Sequence, residues 1–143
     1  ITKAWKSLNN PAPSGITKTG ENYYNKGNVY LTIYDSPSTA VTMAILLAMG
    51  DPDEPFDNLE FGGYIFDDSS ILINDSDATY DSMNLIHWSF GSNAPHTVFH
   101  VHPHFEELPA SLNSIDAATK TSIAQSGCNN FVIYNLNCEQ RSY

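Results

Sequence analysis

Positive charge is what this chain has least of. Six Lys and Arg stand against sixteen Asp and Glu, a formal net charge of −10 over 143 residues. A surface of that sign repels phosphate backbones and removes the usual electrostatic basis for nucleic-acid binding, so no nucleic-acid partner is expected and a nuclease is disfavoured. Long apolar runs are missing too. The longest, Val41 to Met49, is too short to cross a bilayer and suits a buried helix, so no membrane span is expected. No cleavable signal is visible, and the chain opens on Ile1 instead of Met, as expected of a piece of a longer protein whose targeting signal would lie upstream.

Cysteine is scarce. Cys128 and Cys138 flank the expected strand 130–136, and an extended strand of that length would hold them too far apart to bond unless the chain turns at 135–137. A disulfide and two free thiols are both compatible with the sequence. The fold does not need the staple, because 41% hydrophobic and 12% aromatic content in a chain of this length supplies the core of one domain.

Against these absences, one residue type is concentrated. All five histidines fall between His87 and His104, and three form the run His100-Val101-His102-Pro103-His104 at the end of an apolar stretch. Side chains two apart on a strand share a face, so His100 and His102 can converge on one metal ion. A catalytic zinc takes three protein ligands and leaves a position for water. Downstream carboxylates are few: Glu106, Glu107, Asp116 and Glu139. Asp116 stands at a helix start capped by Asn113 or Ser114, which places it on a rigid element. Upstream, Glu60 opens the apolar strand Phe61-Gly62-Gly63-Tyr64-Ile65-Phe66 and is the candidate general base. Any one of these residues alone is an ordinary surface or core side chain; their order along the chain is what points to chemistry.

That order resembles the JAB/MPN (JAMM) metalloisopeptidase superfamily: a Glu opening a Gly-bearing strand, then His-x-His-Pro, then a Ser and an Asp heading a helix. Glu60, Gly63, His100, His102, Pro103 and Asp116 match it, and the helix-forming segment 36–48 before the Glu60 strand looks like the JAB-like C-terminal domains of bacterial polymorphic toxins. The resemblance covers roughly residues 36 to 136. It implies zinc held by His100, His102 and Asp116, Glu60 as the base for a metal-activated water, and hydrolysis of an amide or isopeptide bond. It further implies a peptide or isopeptide-linked protein substrate, and a toxin or effector domain, secreted or delivered by a bacterial secretion system, with an immunity protein as a partner.

The chain departs from the pattern between the second His and the Asp. Thirteen residues, 103–115, intervene, a longer spacing than the family's, and the position of the family's oxyanion-stabilising Ser, three before the Asp, is Asn113. Ser114, then Ser111, are the candidates for that role, and the Asn113 amide is a third donor. Pairing His102 with His104 would leave eleven residues before Asp116; Pro103 after the second His favours His100 and His102. Two other readings stay open: a non-catalytic MPN-like binding module with a degenerate site, and a metal-dependent hydrolase of a non-peptide substrate.

Residues 1–27, rich in Asn, Pro, Ser, Gly, Lys and Thr, read as a linker or N-terminal arm, and 28–143 as the metal-binding domain. Strands are expected at 28–34, 61–66, 70–74, 84–90, 97–102 and 130–136, with helices at 37–49, capped by Ser36, and at 115–125. The fold class is α+β, a mixed sheet flanked by helices, which the resemblance narrows to a JAB/MPN (cytidine-deaminase-like) architecture. The segment 103–112 becomes a loop over the site, with Phe105 to Pro109 as a gate. The acidic clusters 51–57 and 67–81 read as solvated loops and secondarily as a steering surface for a basic partner.

Overall fold

The computed structural model describes residues 1–9, 13–50 and 58–143; the acidic segment 51–57 lies outside the described residues. Its centre is a mixed sheet of strands β1 (Thr17–Gly20), β2 (Tyr23–Lys26), β3 (Val29–Tyr34), β4 (Phe61–Ile65), β5 (Ser70–Asp75), β6 (Thr97–Val101), β7 (Phe131–Tyr134) and β8 (Gln140–Ser142). The spatial order is β1-β2-β3-β5-β4-β6-β7-β8. Neighbours are antiparallel except β6 and β7, which run parallel because a helix connects them. The helices α1 (Lys3–Asn9), α2 (Thr39–Met49) and α3 (Ser114–Ala124) flank the sheet, giving the α+β class that the order of elements predicts.

Strand alternation divides the core into two layers. Val29, Leu31, Ile33, Tyr64, Ile71, Ile73, Val98, Phe131 and Ile133 face the side that receives Ala4 and Leu8 of α1 and Ile123 of α3. Phe61, Leu72, Phe99 and Val101 face the side covered by Ala40, Val41, Ala44, Ile45 and Ala48 of α2. The even-numbered residues of β4 and β6 therefore look toward α3. His100 belongs to that set, and Glu60 and His102 extend it beyond the strand ends.

Several expectations are corrected. The stretch 1–27 is not a loose arm: it supplies α1, β1 and β2, and it buries Ala4, Leu8 and Tyr24. The Asp68 carboxylate accepts from the Lys3 N–H at 3.2 Å and Ser69 Oγ from the Ala4 N–H at 3.2 Å, so the turn between β4 and β5 caps α1. The segment 84–90 is no strand. The Asp75 carboxylate takes the Asn84 N–H at 2.8 Å and the Ile86 carbonyl accepts from the Tyr64 hydroxyl at 2.8 Å; Leu85, Ile86 and Phe90 are buried without joining a ladder. Helix α2 begins at Thr39 with Ser38 as cap residue, later than the expected Ser36 and Pro37. The final strand ends at Tyr134, and the chain turns through 135–139 into an unpredicted β8. Cys128 and Cys138 are free thiols, the first buried and the second exposed.

Two glycines of β4 bring the layers close. A Cβ at Gly62 would lie 2.8 Å from the Leu85 side chain, 2.8 Å from the Phe99 carbonyl oxygen and 3.1 Å from the His100 ring. At Gly63 it would lie 1.9 Å from the Ile71 carbonyl oxygen and 2.9 Å from the Phe99 ring. Backbone cannot retreat from Gly63 without parting β4 from β5. Gly63→Ala is therefore expected to destabilise the fold by ~3 kcal/mol or more. Urea unfolding checks this, and a midpoint equal to wild type contradicts the packing described for β4.

Candidate metal centre

Glu60 precedes β4 directly. The antiparallel register that pairs Phe61 with Val101 sets Glu60 opposite His102 one step further on. Glu60 Oε1 lies 3.6 Å from His102 Nε2. The His102 N–H donates to the Tyr134 carbonyl at 2.9 Å, which prolongs the β6–β7 ladder and fixes the backbone at the second histidine. Helix α3 brings the third group. Asn113 caps it, its Oδ1 accepting from the Asp116 N–H at 2.8 Å, so Asp116 sits in the first turn, where the helix dipole favours a carboxylate. Only Asp116 and Ile123 of α3 are buried. Ile123 docks the helix on the core, and Asp116 turns its charge inward, which is costly unless the charge is matched.

Asp116 Oδ1 lies 3.7 Å from His100 Nδ1 and Oδ2 lies 3.7 Å from His102 Nε2. One ligand atom from each of His100, His102 and Asp116 falls within 4.8 Å of the others. Tetrahedral ligands at ~2.0–2.1 Å from zinc stand ~3.3 Å apart, so small rotamer adjustments would close the set around an ion. The three residues are 4%, 8% and 6% exposed. Both ring nitrogens of His100 and Nε2 of His102 are buried without a hydrogen-bond partner. Imidazole nitrogens left so cost free energy unless they bind something, and the donor set of two imidazoles and one carboxylate suits zinc. The residues present thus fit a metal ion, with His100 and His102 as the histidine pair.

Electrostatics follow from burial. The Glu60 carboxyl is pushed up to about 8 by burial, then by the neighbouring Asp116 and Asp81 carboxylates. Burial lowers His102 to about 4, against the pull of Asp116, so its ring is neutral and its lone pair available near neutral pH. Burial pushes the Asp116 carboxyl up, but the imidazoles of His100 and His102 outweigh it, and the net direction is down. A cation among these groups would favour the ionised forms of both carboxylates.

A cavity of about 130 Å³ opens on this cluster, lined by Glu60, Tyr80, Asp81, His102, His104, Asn113, Ile115 and Asp116. Ser111 and Ser114 are exposed and neither lines the cavity, whereas Asn113 does. His104 is a wall residue, its ring 5.5 Å from that of His102 and 6.1 Å from that of Tyr80. Sequence reasoning missed Tyr80 and read Asp81 only as part of an acidic loop, not as a residue of this site. Their proximity to Glu60 is made by a long-range bond, the Glu60 N–H donating to the Thr79 carbonyl at 3.0 Å, which no local pattern announces. His87 and His96 lie outside the cavity lining.

The loop after the histidine run is tied down by the β7–β8 hairpin. Leu136 N–H donates to the His104 carbonyl at 2.9 Å, Asn137 Nδ2 to Phe105 at 2.8 Å and Asn135 Nδ2 to Glu106 at 2.9 Å. Further along, Arg141 Nη1 and the Tyr143 hydroxyl donate to the Pro109 carbonyl at 2.9 and 2.6 Å. Leu108 is buried in the core layer beneath α3. The segment 104–109 is thus anchored beside the site, at the start of the long connection to Asp116. Comparison with protein-family models, with curated proteins and with solved structures gives no match.

The cluster predicts about one zinc per chain, measured by elemental analysis after dialysis against zinc. The His100→Ala, His102→Ala double variant should lose it. Wild-type protein free of metal, or a variant with undiminished zinc, contradicts the assignment of ligands.

Proposed function

We propose that this domain is a zinc-dependent hydrolase of amide or isopeptide bonds, of the JAMM type and JAB/MPN architecture. One observation carries the reading: a buried His100, His102 and Asp116 cluster with orphaned imidazole nitrogens, and a carboxylate base, Glu60, 3.6 Å from His102. His100, His102 and Asp116 would hold zinc, which supplies Lewis acidity to polarise a carbonyl and to acidify water. Glu60 accepts a proton from the attacking water and returns it to the departing amine, and its buried, cavity-lining position keeps that proton from bulk solvent. Asn113 lines the cavity with its Oδ1 engaged by the Asp116 N–H, which leaves the Nδ2 hydrogens as the donor nearest in role to the family's Ser. Assignment as a toxin or effector domain of a larger bacterial protein, exported by a secretion system and countered by an immunity protein, is supported by the sequence resemblance.

The exposed positions of Ser111 and Ser114 favour a second reading, a metal-binding module that does not hydrolyse. Chelator-sensitive cleavage of a peptide and isopeptide panel separates the two. Glu60→Gln keeps volume and removes the proton acceptor, so activity should fall by roughly 10²-fold or more while zinc stays bound. Full activity in that variant would reassign the base, and zinc-loaded wild type inert across the panel would favour the binding module.

Asn113→Asp preserves the cap acceptor and deletes the amide donor. It should lower kcat by roughly 10²-fold with KM little changed, while Ser114→Ala and Ser111→Ala stay close to wild type. Steady-state kinetics of the three variants decides, and loss confined to either serine variant returns the oxyanion role to that residue.

A further inference from the structure

We infer that the turn carrying Tyr80 and Asp81 is a substrate-recognition subsite that takes a cationic side chain, an ammonium or guanidinium, next to the scissile bond. The inference rests on the hydrolase reading and names the substrate class for that site. Thr79 builds the turn. Its N–H donates to the Ser82 carbonyl at 2.8 Å and its hydroxyl donates to Asp81 Oδ1 at 3.0 Å, while its carbonyl receives the Glu60 N–H at 3.0 Å. The turn that orients Asp81 is thus fastened to the residue proposed as general base.

Asp81 lines the 130 Å³ cavity beside Glu60 and Asp116, where His102, 8% exposed, turns an unpartnered Nε2 inward. Among the described residues, the set of groups close enough to share one ion is His100, His102 and Asp116, so Asp81 is not a member of it. Glu60, Asp81 and Asp116 together bring one more negative charge than a divalent ion cancels. A second cavity, of about 480 Å³, shares Tyr80 and His104 with the first and is lined also by Asn58, Pro103, Phe105 and Glu106. Tyr80, whose ring lies beside that of His104, and Phe105 are 47% and 61% exposed, and no Lys or Arg lines either space among the described residues. Exposed aromatic faces set among carboxylates attract a cation through both quadrupole and charge. An apolar side chain there would desolvate Asp81 without return, and an acidic one would be repelled. The overall charge of −10 favours the approach of a basic segment over an acidic one.

The test uses two matched peptides, acetyl-Gly-Lys-Gly-amide and acetyl-Gly-norleucine-Gly-amide, which differ in the ammonium and share the side-chain stem. Each is titrated into metal-free and zinc-loaded protein at low salt, with amide shifts followed by NMR. The lysine peptide should bind wild type about tenfold more tightly than the norleucine peptide, with shifts at 79–82, and the preference should shrink with added salt. Asp81→Asn, which retains the bond from Thr79, should reduce the preference to about twofold. Tyr80→Leu should weaken the lysine peptide by about threefold, whereas Asp35→Asn, an equal charge change elsewhere, should leave the preference unaltered. Equal binding of the two peptides to wild type, or a preference untouched by Asp81→Asn, overturns the subsite whatever the metal content. An Asp81-dependent preference in a protein that takes up no zinc upholds the subsite and removes the hydrolase reading instead.

Discussion

The candidate site depends on how two imidazoles and a carboxylate can face one another in a buried space. His100 and His102 have no hydrogen-bond partner for their inward nitrogens, and Asp116 is buried at a helix start whose other residues look outward. Buried polar groups without partners cost ~1–3 kcal/mol each, and a buried charge costs more. The arrangement becomes favourable once a cation occupies the space between them. Asp81 beside the same cavity adds a carboxylate where, among the described lining residues, no Lys or Arg answers it, which is why the proposed cationic subsite lies next to the proposed metal position.

The sheet supplies the accuracy such a cluster requires. Alternation along β6 puts His100 and His102 on one face, and the β4–β6 register places Glu60 opposite His102. The close approach at Gly62 makes room for the His100 ring. The parallel β6–β7 pair forces a crossover, and that crossover is α3, whose first turn returns Asp116 to the strand end. Because the connection from His102 to Asp116 is long, it is braced from outside: Asn135, Leu136, Asn137, Arg141 and Tyr143 together hold the carbonyls of His104, Phe105, Glu106 and Pro109. The β7–β8 hairpin is in that sense part of the site's support.

Much of this was legible in the sequence, and what was not has physical causes. His100, His102, Asp116 and Glu60 could be singled out because two-residue spacing on a strand and a cap at a helix start are local geometry. Helix α1 and strands β1 and β2 were hidden by polar composition. Among the described residues, their place in the fold depends on a few buried side chains, Ala4, Ser7, Leu8 and Tyr24, and on capping by the distant Asp68 and Ser69. The segment 84–90 has the apolar content of a strand, yet Asp75 and Tyr64 capture its polar groups. Asp81 showed in the sequence only as part of the acidic stretch 67–81, and its place with Tyr80 beside Glu60 gave no signal, because the Glu60–Thr79 bond spans a long stretch of chain. The serines nearest Asp116 in sequence are exposed and do not line the cavity, whereas Asn113, the helix cap, does.

The central claim is that a metal ion belongs between His100, His102 and Asp116. A crystal soaked in zinc and measured at the zinc absorption edge tests it most directly. The account predicts a single strong anomalous peak within ~2.0–2.2 Å of one nitrogen of each histidine and an Asp116 oxygen. A peak confined to other residues, such as the exposed acidic turns, or no peak at all with the site open to solvent in the lattice, would contradict it.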